Sequence, residues 1–190
     1  MTELETTSRS NRTAAGFKII PTVSGNFELK IWGKLNPGWI GSLSSGLSRN
    51  RISIIKGKAQ KSSNIWDTVF EIEKTRFATD PQKLDFLALA REENETTSDT
   101  LFSISQFSLE PPEKHNGALF LEVQAEDQLG FLGQLLNRLA FLLLFPEEIS
   151  IDTVQGRIFD KFWIKGLGGT PPSATAQAAL RRKLEEWQRI

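Results

Sequence analysis

A chain of 190 residues, 39% hydrophobic and 24% charged, is long enough to bury a core as one medium domain or two small ones. Its 23 basic and 23 acidic residues balance, which disfavours the general attraction to phosphate that most nucleic-acid-binding proteins show. The chain has no cysteine and one histidine, His115, which excludes disulfides, cysteine nucleophiles and the usual Cys/His zinc sites. We therefore expect no metal site, no cofactor and no catalytic residue.

The chain start is polar. Residues Met1 to Gly16 lack apolar side chains for a core, which predicts a disordered tail over residues 1–15 and no signal peptide. The longest apolar run, Leu139 to Phe145, is far shorter than the ~20 residues that a membrane-spanning helix needs. We expect a cytoplasmic protein that does not bind a membrane.

The rest of the chain predicts the same elements twice, in the order strand, strand, helix, strand, strand, helix. The first set comprises Phe17–Val23, Phe27–Gly33, Trp39–Arg49, Ile52–Ala59, Ile65–Ile72 and Pro81–Glu92, and a polar linker is predicted at Glu93–Thr100. The second set comprises Phe102–Leu109, Leu119–Ala125, Phe131–Leu144, Ile149–Val154, Ile158–Ile164 and Ser173–Trp187. This order predicts an α+β fold of two domains, at residues 16–95 and 101–190, each with a four-stranded antiparallel sheet and two helices on one face. Each leading strand could complete its own sheet or that of its neighbour.

Short matches between the halves indicate a duplication. The turn around Gly38 corresponds to the turn around Gly130, and each glycine is followed by an aromatic residue, a Gly and a Leu. Ile52-Ser53-Ile54 matches Ile149-Ser150-Ile151, and Asp67 matches Asp160 inside a bulky apolar strand.

These segments resemble a known family. Asp127-Gln128-Leu129-Gly130-Phe131-Leu132 resembles the Asp-x-Pro-Gly-Leu-Leu turn of ACT domains, and Asn36-Pro37-Gly38-Trp39-Ile40 keeps its Pro-Gly part but has Leu35 in place of the acid. The strands around Asp67 and Asp160 resemble the Glu-Asp-Val-Phe segment of the third ACT strand. The end of the chain from Phe162 is similar to the C-terminal ACT pair of bacterial PII uridylyltransferases.

The resemblance covers about residues 17–190 and implies two ferredoxin-like ACT domains in tandem. Tandem glycine-cleavage repressor proteins are similar in organisation only. No nucleotidyltransferase or phosphohydrolase segment is present in the sequence, so the resemblance implies the sensing part of such enzymes and not their activity. It therefore implies a non-catalytic sensor that binds a small metabolite, such as an amino acid, and acts by allosteric regulation.

The two glycine turns are the predicted ligand site. Glycine tolerates a positive φ, and the helix that follows offers free N–H groups to a carboxylate, while Asp127 can receive an ammonium group. Asp127 could instead cap the helix, and Trp39 and Phe131 could line a pocket or belong to the core. The predicted site comprises Asn36, Pro37, Gly38, Trp39, Ile40, Asp127, Gln128, Leu129, Gly130 and Phe131.

Two alternatives stay open. The chain could be a ligand-free protein-interaction module of ACT fold, which the Leu35 departure favours. RNA binding is less favoured: basic residues gather around Arg49–Lys61 and at Arg181–Lys183, but no RNA-binding signature accompanies them. His115 is expected in an exposed polar loop.

The helix from Phe131 is apolar nearly all round, which predicts a second packed face. We expect the Gly- and Ser-rich helix Trp39–Arg49 to pair with it inside the chain, because small residues allow close approach. Phe141, Leu144 and Phe145 should also be covered. The expected partners are therefore an amino acid effector, a second copy in a homodimer and a regulated protein, without a membrane or nucleic acid.

Overall fold

Alternating apolar and polar residues form eight strands in the computed structural model, which describes residues 14–92 and 102–189. The strands are β1 (Gly16–Pro21), β2 (Phe27–Gly33), β3 (Ile52–Ser62), β4 (Ile65–Lys74), β5 (Gln106–Glu110), β6 (Leu119–Glu126), β7 (Phe145–Val154) and β8 (Arg157–Lys165). The α-helices are α1 (Trp39–Arg49), α2 (Phe86–Leu89), α3 (Phe131–Phe141) and α4 (Ala174–Gln188). The result is an α+β fold, as the sequence predicts.

All eight strands join one antiparallel sheet, in the order β1-β2-β4-β3-β7-β8-β6-β5. Each leading strand pairs within its own half, β1 with β2 and β5 with β6, which settles the alternative left open above. The halves meet where β3 pairs with β7, from Lys56 opposite Asp152 to Gln60 opposite Glu148. We call this pairing the seam.

Helices α1 and α3 pack against each other and contact β3 and β7, respectively. The contact is close because small residues lie in it: a Cβ added to Gly133 would lie 3.0 Å from the backbone nitrogen of Ser45. The side chain of Asn137 also donates a hydrogen bond to Ser45 Oγ, at 3.3 Å. The predicted pairing of the two duplicated helices is confirmed.

From β2 to β4 and from β6 to β8, the two halves repeat each other at an offset of 92 residues. Gly33 pairs with Trp66 in the first half, and Ala125 pairs with Ile158 in the second. The residue numbers of both paired strands therefore increase by 92 from the first half to the second (125 − 33 and 158 − 66). The bulge between Ile54 and Lys56 recurs between Pro146 and Glu148. In this register Ile149 corresponds to Gly57, so the match of Ile52-Ser53-Ile54 with Ile149-Ser150-Ile151 is wrong.

The second helix of the first half differs from its prediction. Pro81–Glu92 forms a 3₁₀ turn at Pro81–Lys83 and then the short helix α2, because Leu84 is extended between them. Asp85 starts α2 anew, since its carboxylate accepts hydrogen bonds from the N–H groups of Leu87 and Ala88 at 3.0 Å.

The first predicted strand of the second half is shorter than expected. The segment before β5 turns inward, so that Phe102 stacks on Phe131 at 5.1 Å and meets Trp187 edge-on at 5.2 Å. Residues 1–13 of the predicted tail (residues 1–15) and the predicted linker at Glu93–Thr100 lie outside the described residues. Within the described ranges, none of the helices combines the length and the apolar character that crossing a membrane requires.

Candidate functional site

The two glycine turns have the same backbone geometry. Gly38 (φ 82°) and Gly130 (φ 88°) are both left-handed and immediately precede α1 and α3. Glycine adopts this conformation without the Cβ strain that other residues meet. Neither helix has a side-chain cap at its first turn, so Asp127 does not cap α3. The N–H groups of Leu132 and Gly133 precede the first intrahelical bond, from Gln134 to the Gly130 carbonyl.

A cavity of about 30 Å³ lies beside the second turn, at the seam between the halves. We call it the seam cavity. The second half contributes the turn, the start of α3 and inward residues of β7 and β8, and the first half contributes α1 and the start of β3. Its lining residues are Ser44, Leu47, Ile52, Ser53, Ile54, Asp127, Gln128, Gly130, Phe131, Leu132, Gly133, Ile151, Thr153, Ile158 and Asp160.

Asp160 is the unusual residue of this cavity. It belongs to the inward row of β8 with Ile158 and Phe162, and it is 1% exposed. Its carboxyl accepts one long hydrogen bond, from the N–H of Asp152 at 3.3 Å. Burial, together with the nearby charges of Asp127 and Asp152, raises the pKa of Asp160 from its ordinary 3.8 to about 8, against the lowering effect of that hydrogen bond. At neutral pH the group is therefore protonated.

Ser44 on α1 is the second polar residue buried at the cavity. It is 6% exposed, and its Oγ has no hydrogen-bond partner within the described ranges 14–92 and 102–189. Buried hydroxyls are normally paired, so an unpaired one beside a cavity requires an explanation. A ligand that hydrogen-bonds to it in the cavity would supply the missing partner.

The first turn has larger aromatic residues at the positions that border the seam cavity in the second half. Trp39 replaces Phe131 and Trp66 replaces Ile158, and the two rings pack edge to face at 5.4 Å. Both are core residues, at 2% and 5% exposure. Two tryptophan side chains therefore occupy the positions that Phe131 and Ile158 hold beside the seam cavity.

The proposed equivalence of Asp67 and Asp160 is wrong by one residue. Thr68 pairs with Ile31 as Asp160 pairs with Val123, so Thr68 holds the position of Asp160. Asp67 consequently lies on the opposite, exposed face of the sheet. A one-residue shift in a strand reverses every side chain, and the sequence match could not reveal this.

The predicted site residues separate into two groups. Asp127, Gln128, Gly130 and Phe131 line the seam cavity, whereas Leu129 does not. In the first turn Asn36 and Pro37 are exposed, Gly38 is half-buried, and Trp39 and Ile40 are core residues. Phe131 is both core and cavity wall, at 3% exposure.

His115 is half-buried and not exposed as predicted. Its ring stacks on Phe120 at 4.9 Å, and its Nε2 lies 3.1 Å from a carboxylate oxygen of Glu110. The basic residues Lys56 and Lys58 share their part of the sheet with Asp67 and Glu71. This mixture of charges does not form a basic surface for RNA.

Sequence reasoning did not place Ser44 or Asp160 in the site. For Asp160 a signal existed, because the alternation of β8 puts this acid in the same row as Ile158, Phe162 and Ile164. For Ser44 there was no such signal, since its role depends on how α1 packs against the second half.

Comparison with protein-family models, curated proteins and solved structures found no match to this chain.

Proposed function

We propose that the protein is a non-catalytic regulatory sensor, built from tandem ferredoxin-like domains of ACT type, that binds an amino acid at the seam cavity. The observation that carries the proposal is the position of this cavity. It lies between the two duplicated halves and is lined by both of them. A ligand bound there contacts both halves and therefore favours one arrangement of them over another, which is the physical requirement for allosteric regulation.

The groups around the cavity suit an amino acid. The free N–H groups at the start of α3 can receive a carboxylate, and the helix dipole favours an anion there. Asp127 and Asp160 can receive an ammonium group. Donors for one end of the ligand and acceptors for the other thus lie within one turn and the strands beside it.

A ligand-free interaction module is the second candidate. The seam cavity, at about 30 Å³, has room for about one or two water molecules, so a whole amino acid must extend beyond it. The corresponding place at the first turn is filled by Trp39 and Trp66. This candidate predicts that no free amino acid stabilises the folded chain.

A thermal-shift screen of the twenty free amino acids separates the two candidates. Any compound that binds only the folded state raises the melting temperature, and the shift grows with its concentration. We expect at least one amino acid to do so. If none does at millimolar concentrations, the sensor proposal is wrong and the interaction module stands.

The same site predicts unequal effects of mutation at the two turns. Asp127→Ala should weaken binding of the amino acid selected by the screen about tenfold, because it removes a charge-assisted hydrogen bond. Asn36→Ala, in the first turn, should leave the affinity unchanged. Isothermal titration calorimetry measures both, and equal affinities for Asp127→Ala and wild type would remove Asp127 from the site.

A further inference from the structure

The seam cavity contains acidic groups and no basic group. Among the described residues that line it, Asp127 and Asp160 are the titratable ones, and the other polar side chains are hydroxyls and one amide. The buried Oγ of Ser44 at this cavity has no hydrogen-bond partner among the described residues, so it is able to bind a ligand there. A cavity of about 30 Å³ accepts a group the size of a water molecule, and an ammonium head group has about that size.

We propose that the seam cavity receives the protonated amine of a small aminated metabolite, and that Asp160 is the residue that binds it. The inference rests on the proposed function and names the end of the effector that enters the cavity. Asp127, Gln128 and Leu129 are exposed, so the cavity opens at this turn. The rest of the effector lies there, with its carboxylate at the start of α3. The site therefore selects primary amines over their deaminated counterparts.

Binding changes the protonation of Asp160. In the free protein, burial and the charges of Asp127, on the turn, and Asp152, on β7, raise its pKa to about 8. The lining residues from α1 and β3 are uncharged. When the ammonium group enters, the carboxyl proton of Asp160 leaves to solvent, and carboxylate and ammonium form an ion pair with no net charge. Up to one proton is released per ligand below about pH 8, and the affinity rises about tenfold per pH unit towards that value.

Calorimetry with glycine and L-serine as probes tests this step. Each probe is titrated at pH 7 in phosphate and in MOPS buffer, neither of which is a primary amine, because the buffer that takes up a released proton contributes its own ionisation heat. The wild type should give heats that differ between the buffers. Glycolate, which replaces the amine of glycine with a hydroxyl, should bind at least tenfold more weakly than glycine.

The variant Asp160→Asn keeps the shape and neutrality of the protonated acid but cannot become charged. It should bind glycine or serine at least tenfold more weakly and release no proton. The control Asp67→Asn makes the same change on the exposed face of the sheet and should behave like the wild type.

The outcomes separate this inference from the proposed function. If amino acids bind Asp160→Asn as tightly as wild type, or bind wild type with equal heats in both buffers, the role of Asp160 is overturned and the sensor stands. Binding of glycolate as tight as that of glycine overturns the selection for amines. If none of the twenty amino acids binds the folded wild type, both the inference and the proposed function fail. The buffer comparison uses the wild type alone, so it decides even if Asp160→Asn does not fold.

Discussion

At the scale of single residues, Asp160 makes stability depend on pH. Its pKa is raised in the folded chain, from 3.8 to about 8, so the folded state holds a proton that the unfolded state loses above about pH 4. The contribution of Asp160 to the free energy of unfolding therefore falls as pH rises from about 4 to about 8.

Asp160→Asn should remove this slope and stabilise the chain most at pH 8. Urea denaturation at pH 5, 6.5 and 8, with Asp67→Asn as control, measures the difference. A stability difference between Asp160→Asn and wild type that does not change with pH would show that Asp160 is ionised in the folded protein.

At the scale of elements, the contact between α1 and α3 depends on its glycines. A Cβ at Gly133 would lie 2.8 Å from Ser45 Oγ and 3.0 Å from the Ser45 backbone nitrogen. At Gly41 the close atoms belong to side chains, Asn137 Oδ1 at 2.8 Å and Leu136 Cβ at 3.3 Å. A side-chain end can rotate away, but backbone in a packed helix cannot.

Gly133→Ala should therefore destabilise the chain by about 1–3 kcal/mol, although alanine is the better helix former. Gly41→Ala should cost less, and the gain in helix propensity could offset its cost. Equilibrium denaturation in urea compares the two variants. If Gly133→Ala is as stable as wild type, the helices separate without cost and the contact is not tight.

The local sequence pattern predicted individual strands and helices well, but it predicted how they pack against one another less well. The bounds of β2 and α1 follow from alternation and from the glycine that starts the helix. The sequence pattern missed the break at Leu84. The carboxylate of Asp85 accepts hydrogen bonds from helix N–H groups, so a new helix starts there and the preceding turn does not continue. The cavity depends on the packing of Ser44 against the other half, which local periodicity does not encode.

At the scale of the whole molecule, α3 ends in an apolar surface that the described chain leaves uncovered. Phe141 is 67% exposed and Leu143 is 58% exposed, while Leu144 is buried as predicted. The sequence predicts that Phe141 is also covered, and the described part of a single chain does not cover it. The helix ends at Phe141, and Leu143 lies beyond it with a positive φ of 56°.

We expect a homodimer to cover this surface, since water contact with apolar area costs about 25 cal/mol per Å². Phe141→Asp should shift the chain from dimer to monomer in sedimentation velocity. Phe77→Asp is the control, because this aromatic residue is also largely exposed, at 74%, and lies in a loop outside α3. A wild-type chain that sediments as a monomer at all concentrations would contradict the expectation.

Because both halves belong to one chain, they need not have the same residues at corresponding positions. Two identical chains around a two-fold axis must place the same residue at both turns, so they offer either two sites or none. In this chain one half places two packed rings, Trp39 and Trp66, where the other places Phe131 and Ile158 beside the seam cavity. If the proposed effector binds at the seam cavity, we expect one effector per chain and a simple saturation curve for a single chain. Any cooperativity must arise between chains.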